Sequence, residues 1–170
     1  MSDPVGYFIT FTCYGERLHG DPRGSVERLR VRPKQTVELE GDLCRTGRER
    51  SILVNPEFLL NNASRIVVAD AIINVGEHRG WRVHALNVRT NHVHVVVSGE
   101  ATPELMMMTF KAWATRRLRE SRMCGPRDKI WTRHGSTRYL WDDQDIVDAS
   151  TYVLEGQGQD LGGLRTTNDS

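Results

Sequence analysis

Cysteine is scarce in this chain: Cys13, Cys44 and Cys124 are odd in number and widely spaced, and no Cys-x-x-Cys pair occurs. The spacing argues against a disulfide framework and against cysteine-based zinc or redox work, and leaves ordinary reduced thiols. Long apolar runs are lacking too; none approaches the roughly 20 residues that a membrane-spanning helix requires. A soluble protein is therefore expected. The opening residues, Met-Ser-Asp-Pro-Val-Gly, hold no basic segment followed by an apolar one, so no secretory leader is expected and the expected compartment is the cytoplasm. Internal repeats and low-complexity tracts are absent. Net charge is nearly absent as well, at +1, which removes bulk charge as a guide to partners. With 170 residues, 38% of them hydrophobic and 26% charged, the chain can bury one core but is short for two. A single domain over residues 1–160 with a polar tail at 161–170 is expected.

The near-zero sum hides an uneven distribution. Residues 111–138 carry nine basic side chains against Glu120 and Asp128, whereas residues 139–170 carry Arg165 against seven acids. Two solvated faces that partly neutralise one another would look like this, and so would a basic footprint for a polyanion. Charge alone leaves both open.

The residue pattern gives an ordered set of elements. Residues 5–14 are rich in β-branched and aromatic types, alternate from Phe8 to Tyr14, and read as a strand. Residues 15–56 hold turn chemistry and no persistent period, so a long loop or insertion is expected there, with room for a short strand between Thr36 and Leu43. Asn55-Pro56 reads as a helix start, followed by Phe58, Leu59, Ile66, Val67, Ala69, Ile72 and Ile73 at helical spacing to about Glu77. Two strands, 81–88 and 92–98, flank Arg89-Thr90-Asn91 as a hairpin. Thr102-Pro103-Glu104 opens a second helix, with Leu105, Met108, Thr109, Ala112, Trp113 and Leu118 along it and Arg116, Arg117 and Arg119 on its other face. Short extended pieces at 130–133 and 137–141 surround Gly135-Ser136. A last helix follows the acidic turn at Asp142 and runs to about Glu155, with Ile146, Val147, Ala149, Val153 and Leu154 on its apolar arc. Tyr152 falls on the opposite side, beside Asp148 and Glu155.

Chemistry concentrates at two places. His92 and His94 stand two apart in an expected strand, so both imidazoles project from one face. A hydrogen-bonded surface pair is the commoner outcome for an arbitrary His-x-His. The valine run that follows would make a rigid platform, and that favours a metal pair. A third ligand must come from elsewhere; His84 and His134 are candidates, ranked below the C-terminal helix. Tyr152, on a polar helical face rather than in the core arc, can serve as a nucleophile toward phosphorus. A phenol ordinarily keeps its proton at neutral pH, and a divalent cation polarising the phosphate lessens the activation it needs.

The strand Tyr7-Phe8-Ile9-Thr10-Phe11-Thr12, the segment Asn91-His92-Val93-His94-Val95-Val96-Val97 and the terminal Tyr152-Val153-Leu154-Glu155-Gly156-Gln157 resemble, in order and spacing, the single-tyrosine HUH transposases. That family includes the small transposases of the simplest insertion sequences and the REP-associated tyrosine transposases, and the resemblance spans residues 5–158. It implies an α+β domain, ferredoxin-like or RNA-recognition-motif-like, with a central antiparallel sheet and helices packed mainly on one face. It also implies cleavage and rejoining of single-stranded DNA, with hairpin-containing ends, through a 5′-phosphotyrosine link and with Mg²⁺ or Mn²⁺. A homodimer is implied, a monomer being the alternative. His92 and His94 match the family's metal pair and Tyr152 its nucleophile. Many members carry a glutamine or asparagine ligand four residues after the tyrosine, where this chain has Gly156. Gln157 is then the favoured third ligand and Glu155 the alternative.

DNA contacts are expected from Lys111, Arg116, Arg117 and Arg119, which would position phosphates rather than read bases. Trp113, Trp131 and Tyr139 could stack on unpaired bases, although burial in the core is the commoner fate of such residues. The rival reading is a non-cleaving or domesticated single-stranded nucleic-acid-binding module on the same fold.

Overall fold

β-branched and aromatic residues alternate along Gly6–Cys13, and this segment forms β1, the strand on which the other layers are built. The computed structural model describes residues 3–15 and 57–155, together with the backbone of 25–28 and 36–39. After β1 come β2 (Ser25–Arg28), β3 (Thr36–Leu39), α1 (Asn62–Arg79), β4 (Arg82–Val88), β5 (His92–Ser98), α2 (Pro103–Glu120), β6 (Trp131–Leu140) and α3 (Asp143–Glu155). β2 and β3 pair antiparallel as a two-stranded ribbon inside the stretch expected to be a loop or insertion. The other four strands form one sheet in the order β4-β5-β1-β6, antiparallel throughout. Apart from the ribbon, the chain runs strand-helix-strand-strand-helix-strand with its first and third strands side by side in the centre. That is the ferredoxin-like arrangement, so the fold is α+β as the sequence led us to expect.

The two faces of the sheet carry different loads. Ile9, Phe11 and Cys13 of β1 and Val93, Val95 and Val97 of β5 form the main core with Val68, Ile72 and Val75 of α1 and Met106, Phe110 and Leu118 of α2. Each fully buried side chain of this size contributes about 1.5–3 kcal/mol relative to exposure. On the opposite face α3 covers one end, packing Ala149 and Val153 against Ala85, Val96 and Leu140. Covering on both sides explains why β5 reads as a nearly unbroken valine run. The other end of that second face carries His92, His94, Thr10 and Thr12.

Four local readings of the sequence need correction. The first helix begins at Asn62, not at Asn55-Pro56, which lie outside the described residues; the Asn61 side chain caps it by accepting from the Ser64 N–H at 2.9 Å. Phe58 and Leu60 instead give their N–H groups to the Tyr14 and Thr90 carbonyls, at 3.0 and 2.7 Å, and so belong to the loop layer. On α2 the buried stripe is Met106, Met107, Phe110, Ala114 and Leu118, while Leu105 and Met108 are exposed. The cap at Thr102 and Pro103 was legible, but several nearby apolar residues left the facing of the first turns undecided. The pieces at 130–133 and 137–141 are a single strand, because Gly135 and Ser136 pair with Phe11 and Thr10 rather than turning. On α3 Val147 is exposed, although Ala149 and Val153 are buried as expected. No helix among the described residues is long and apolar enough to cross a membrane.

Candidate active site

His92, half-buried, and His94, buried, stand on β5, and the β1–β5 register sets them directly opposite Thr12 and Thr10. Opposed residues in an antiparallel ladder share a face, so this end of the sheet presents two imidazoles above two threonines. The ring centroids lie 4.6 Å apart at an interplanar angle of 77°. Each ring is oriented through Nδ1. For His92 the partner is the Asn91 Oδ1, at 2.6 Å, and an amide oxygen accepts, so Nδ1 carries the proton and Nε2 the lone pair. For His94 the partner is the Thr10 hydroxyl, at 2.8 Å. Donation from Nδ1 to Thr10 would give His94 the same tautomer, the one in which Nε2 serves as a metal ligand. The donor set therefore fits a divalent cation as far as two nitrogens.

Tyr152 reaches this face from α3. Its ring meets Phe8 edge-on at 6.0 Å, and Phe8 in turn lies 5.6 Å from the His94 ring. Phe8 thus bridges the candidate nucleophile and the histidine pair. The tyrosine itself is 51% exposed. Asn87, opposite His94 on β4, donates through Nδ2 to the Val153 carbonyl at 3.0 Å and ties the end of α3 to the sheet.

The remaining candidates are placed as follows. Glu155 is exposed, and among the described residues no three His, Cys, Asp or Glu side chains gather as a metal-binding group. Gln157 and Gly156 lie outside the described residues. His84 is not a neighbour of the pair: it sits at a bulge between Val83 and Ala85, with its Nε2 2.8 Å from the Ser98 hydroxyl, toward the other end of the hairpin. Burial, then the nearby Arg82 charge, lowers its pKa from the ordinary histidine value. His134 is exposed on β6, where its carbonyl accepts from Lys111.

The basic helix is on the other side of the sheet. α2 packs against the Ile9 and Phe11 face, so Arg116, Arg117 and Arg119 ride on a layer opposite the histidines. Arg116 and Arg117 share Glu120, at 2.9 and 3.4 Å, and that pairing holds the Glu120 carboxyl below its ordinary range. Lys111 is partly buried and structural. Its ammonium donates to the carbonyls of Thr132, His134 and Arg133 at 3.0, 3.2 and 3.5 Å, and lies 5.6 Å from the Phe11 ring centre. Burial lowers its pKa. Charged-group hydrogen bonds of this kind are worth about 1.5–3 kcal/mol, so Lys111→Met should lose about 2 kcal/mol in urea unfolding. A variant with unchanged stability and weakened DNA binding would return Lys111 to the phosphate-contact group.

Trp131 is buried, 5.1 Å from Phe11, and donates to the Thr115 hydroxyl at 3.1 Å, so it is a core residue. Trp113 packs beside His78 at 5.7 Å. Tyr139 is exposed, stacks on Trp141 at 6.1 Å and meets Tyr7 edge-on at 5.3 Å, on the face away from the histidines. Burial, then Tyr139, Glu104 and Asp3, raise the Tyr7 pKa above its ordinary value. Among the described residues, a cation that does share the histidine face is Arg138, exposed and directly opposite Phe8 across β1 and β6. Arg138, Thr10, Asn87 and Phe8 were not singled out as site residues in the sequence, since each joins the site by register. Period-two alternation along 131–140 would have placed Arg138, had that segment been read as one strand.

No family model matches the chain, and no curated protein does. Among solved structures, the chain is similar to a REP-associated tyrosine transposase bound to a REP hairpin, with 15% identity, a TM-score of 0.49, and 92% of this chain and 68% of that one covered. A likeness of that degree carries no residue's role from one chain to the other.

Proposed function

We propose that this protein is a metal-dependent enzyme that cleaves and rejoins single-stranded DNA through a 5′-phosphotyrosine on Tyr152. The observation that carries the reading is the Phe8 bridge, which sets an exposed tyrosine and the Nδ1-anchored His94 against one aromatic ring, with the His92 ring beside that of His94. The Tyr152 oxygen attacks phosphorus and gives up its proton to solvent. The bond from phosphorus to the 3′ oxygen breaks, and that oxygen leaves and takes up a proton as a 3′-OH. Rejoining reverses the exchange: a 3′-OH attacks the phosphotyrosine and the phenol is released. In-line approach is required in both directions, so the packing of α3 on the sheet matters as much as nucleophilicity. His92 and His94 would hold Mg²⁺ or Mn²⁺, which when bound supplies charge to the scissile phosphate. Arg138 stands on the same face and can anchor a flanking phosphate.

The direct test is incubation of the full chain with end-labelled single-stranded and hairpin-containing oligonucleotides in Mn²⁺, Mg²⁺ or EDTA. A covalent protein–DNA band that needs the metal is the expected result. Binding without any nick in either metal would favour the non-cleaving module.

A further inference from the structure

Two imidazoles are a sparse set for a hard divalent cation, which takes six or more donors and prefers oxygen. Asn87 is placed to add one. The β4–β5 register sets it directly opposite His94 on the same face, so Thr10 on β1, His94 on β5 and Asn87 on β4 form a row across three adjacent strands. Its amide orientation is chemically fixed: the Val153 carbonyl can only accept, so the group 3.0 Å from it is Nδ2, and Oδ1 is the end turned elsewhere. On the far side of His94, Thr10 occupies Nδ1.

We propose that Asn87 Oδ1 is the third protein donor to the cation held by His92 and His94, an inference that rests on reading the pair as a metal site. The same amide then has two jobs. Its oxygen binds the ion, and its nitrogen holds the backbone of the residue that follows Tyr152. Metal loading and the seating of the nucleophile's helix are thereby coupled through one side chain.

Titration of the full chain with Mn²⁺ alone, following free Mn²⁺ by electron paramagnetic resonance, tests the assignment without reference to activity. Asn87→Ala should weaken Mn²⁺ binding by at least about 10-fold, the scale on which even supporting partners of metal ligands act. Asn87→Asp should match or exceed wild-type affinity, because a carboxylate is a better oxygen donor although it cannot donate to Val153. A residue that merely tethers α3 would make Ala and Asp behave alike, and that pattern overturns the proposal. So does a loss confined to Gln157→Ala with Asn87→Ala at wild-type affinity. If Asn87→Ala binds Mn²⁺ normally and still forms the DNA adduct, Asn87 is removed and the Tyr152 chemistry stands. If wild-type protein binds no Mn²⁺, the metal pair falls and the Asn87 assignment with it.

Discussion

Tyr152→Phe will leave no covalent protein–DNA band on a denaturing gel, while single-strand binding and Mn²⁺ binding stay at the wild-type level. The substitution removes one atom of interest and little else. Phenylalanine keeps the ring that meets Phe8 edge-on at 6.0 Å, so the packing of α3 on the sheet is preserved. With the side chain 51% exposed, unfolding free energy should move by no more than about 0.5 kcal/mol, the usual range for a surface site. Loss of the adduct therefore cannot be put down to loss of the fold. The contrast with His92→Ala and His94→Ala is informative: those variants should lose Mn²⁺ binding as well as cleavage. Full adduct formation by Tyr152→Phe would take this tyrosine out of the mechanism.

Much of this site was legible in one dimension because its two main parts are local. His92 and His94 share a face through the two-residue period of a strand, and Tyr152 lies off the buried stripe of Ala149 and Val153 through the period of a helix. What holds those parts together was not legible. The Thr10 hydroxyl meets His94 across 84 residues of sequence, and Asn87 meets Val153 across 66, so both depend on strand order and register that no local pattern encodes. The basic helix shows the same limit from the other side. Arg116, Arg117 and Arg119 were visible as a cluster, but which sheet face α2 covers is decided by how Met106, Phe110 and Leu118 pack, and it sets the cluster opposite the histidines. Arg138 was counted among the same run of charge and yet stands on the histidine face, because β6 is one continuous strand against β1. The fold class was expected from the family resemblance, and the observed order and pairing of the elements bear it out. The chain's departures from simple pattern, at Phe58 and Leu60 and at Gly135-Ser136, were settled by backbone pairing with distant segments.

Gly135→Ala should cost more stability than any other single-methyl addition on β6. The position is exposed, yet it has no room for a Cβ. An added methyl would press into the Thr10 carbonyl oxygen and lie 2.7 Å from the Met107 sulfur. The requirement here is for space, not for a left-handed backbone. Met107 could swing aside, but the Thr10 carbonyl belongs to β1 at the centre of the sheet, and moving it means prying β6 from β1 between the Phe11 and Thr10 pairs. Overpacking typically costs 1–3 kcal/mol, and with a backbone atom as the obstacle about 3 kcal/mol is expected. For a chain of this size that corresponds to a fall in Tm of about 6–12 °C. The damage should also reach the proposed metal site, because Thr10 holds the His94 ring at 2.8 Å. Mn²⁺ affinity should therefore drop in Gly135→Ala at temperatures where circular dichroism shows the protein still folded. An unchanged Tm would mean that β6 does not pair with β1 at Gly135, and the placement of Arg138 beside Phe8 would lose its basis.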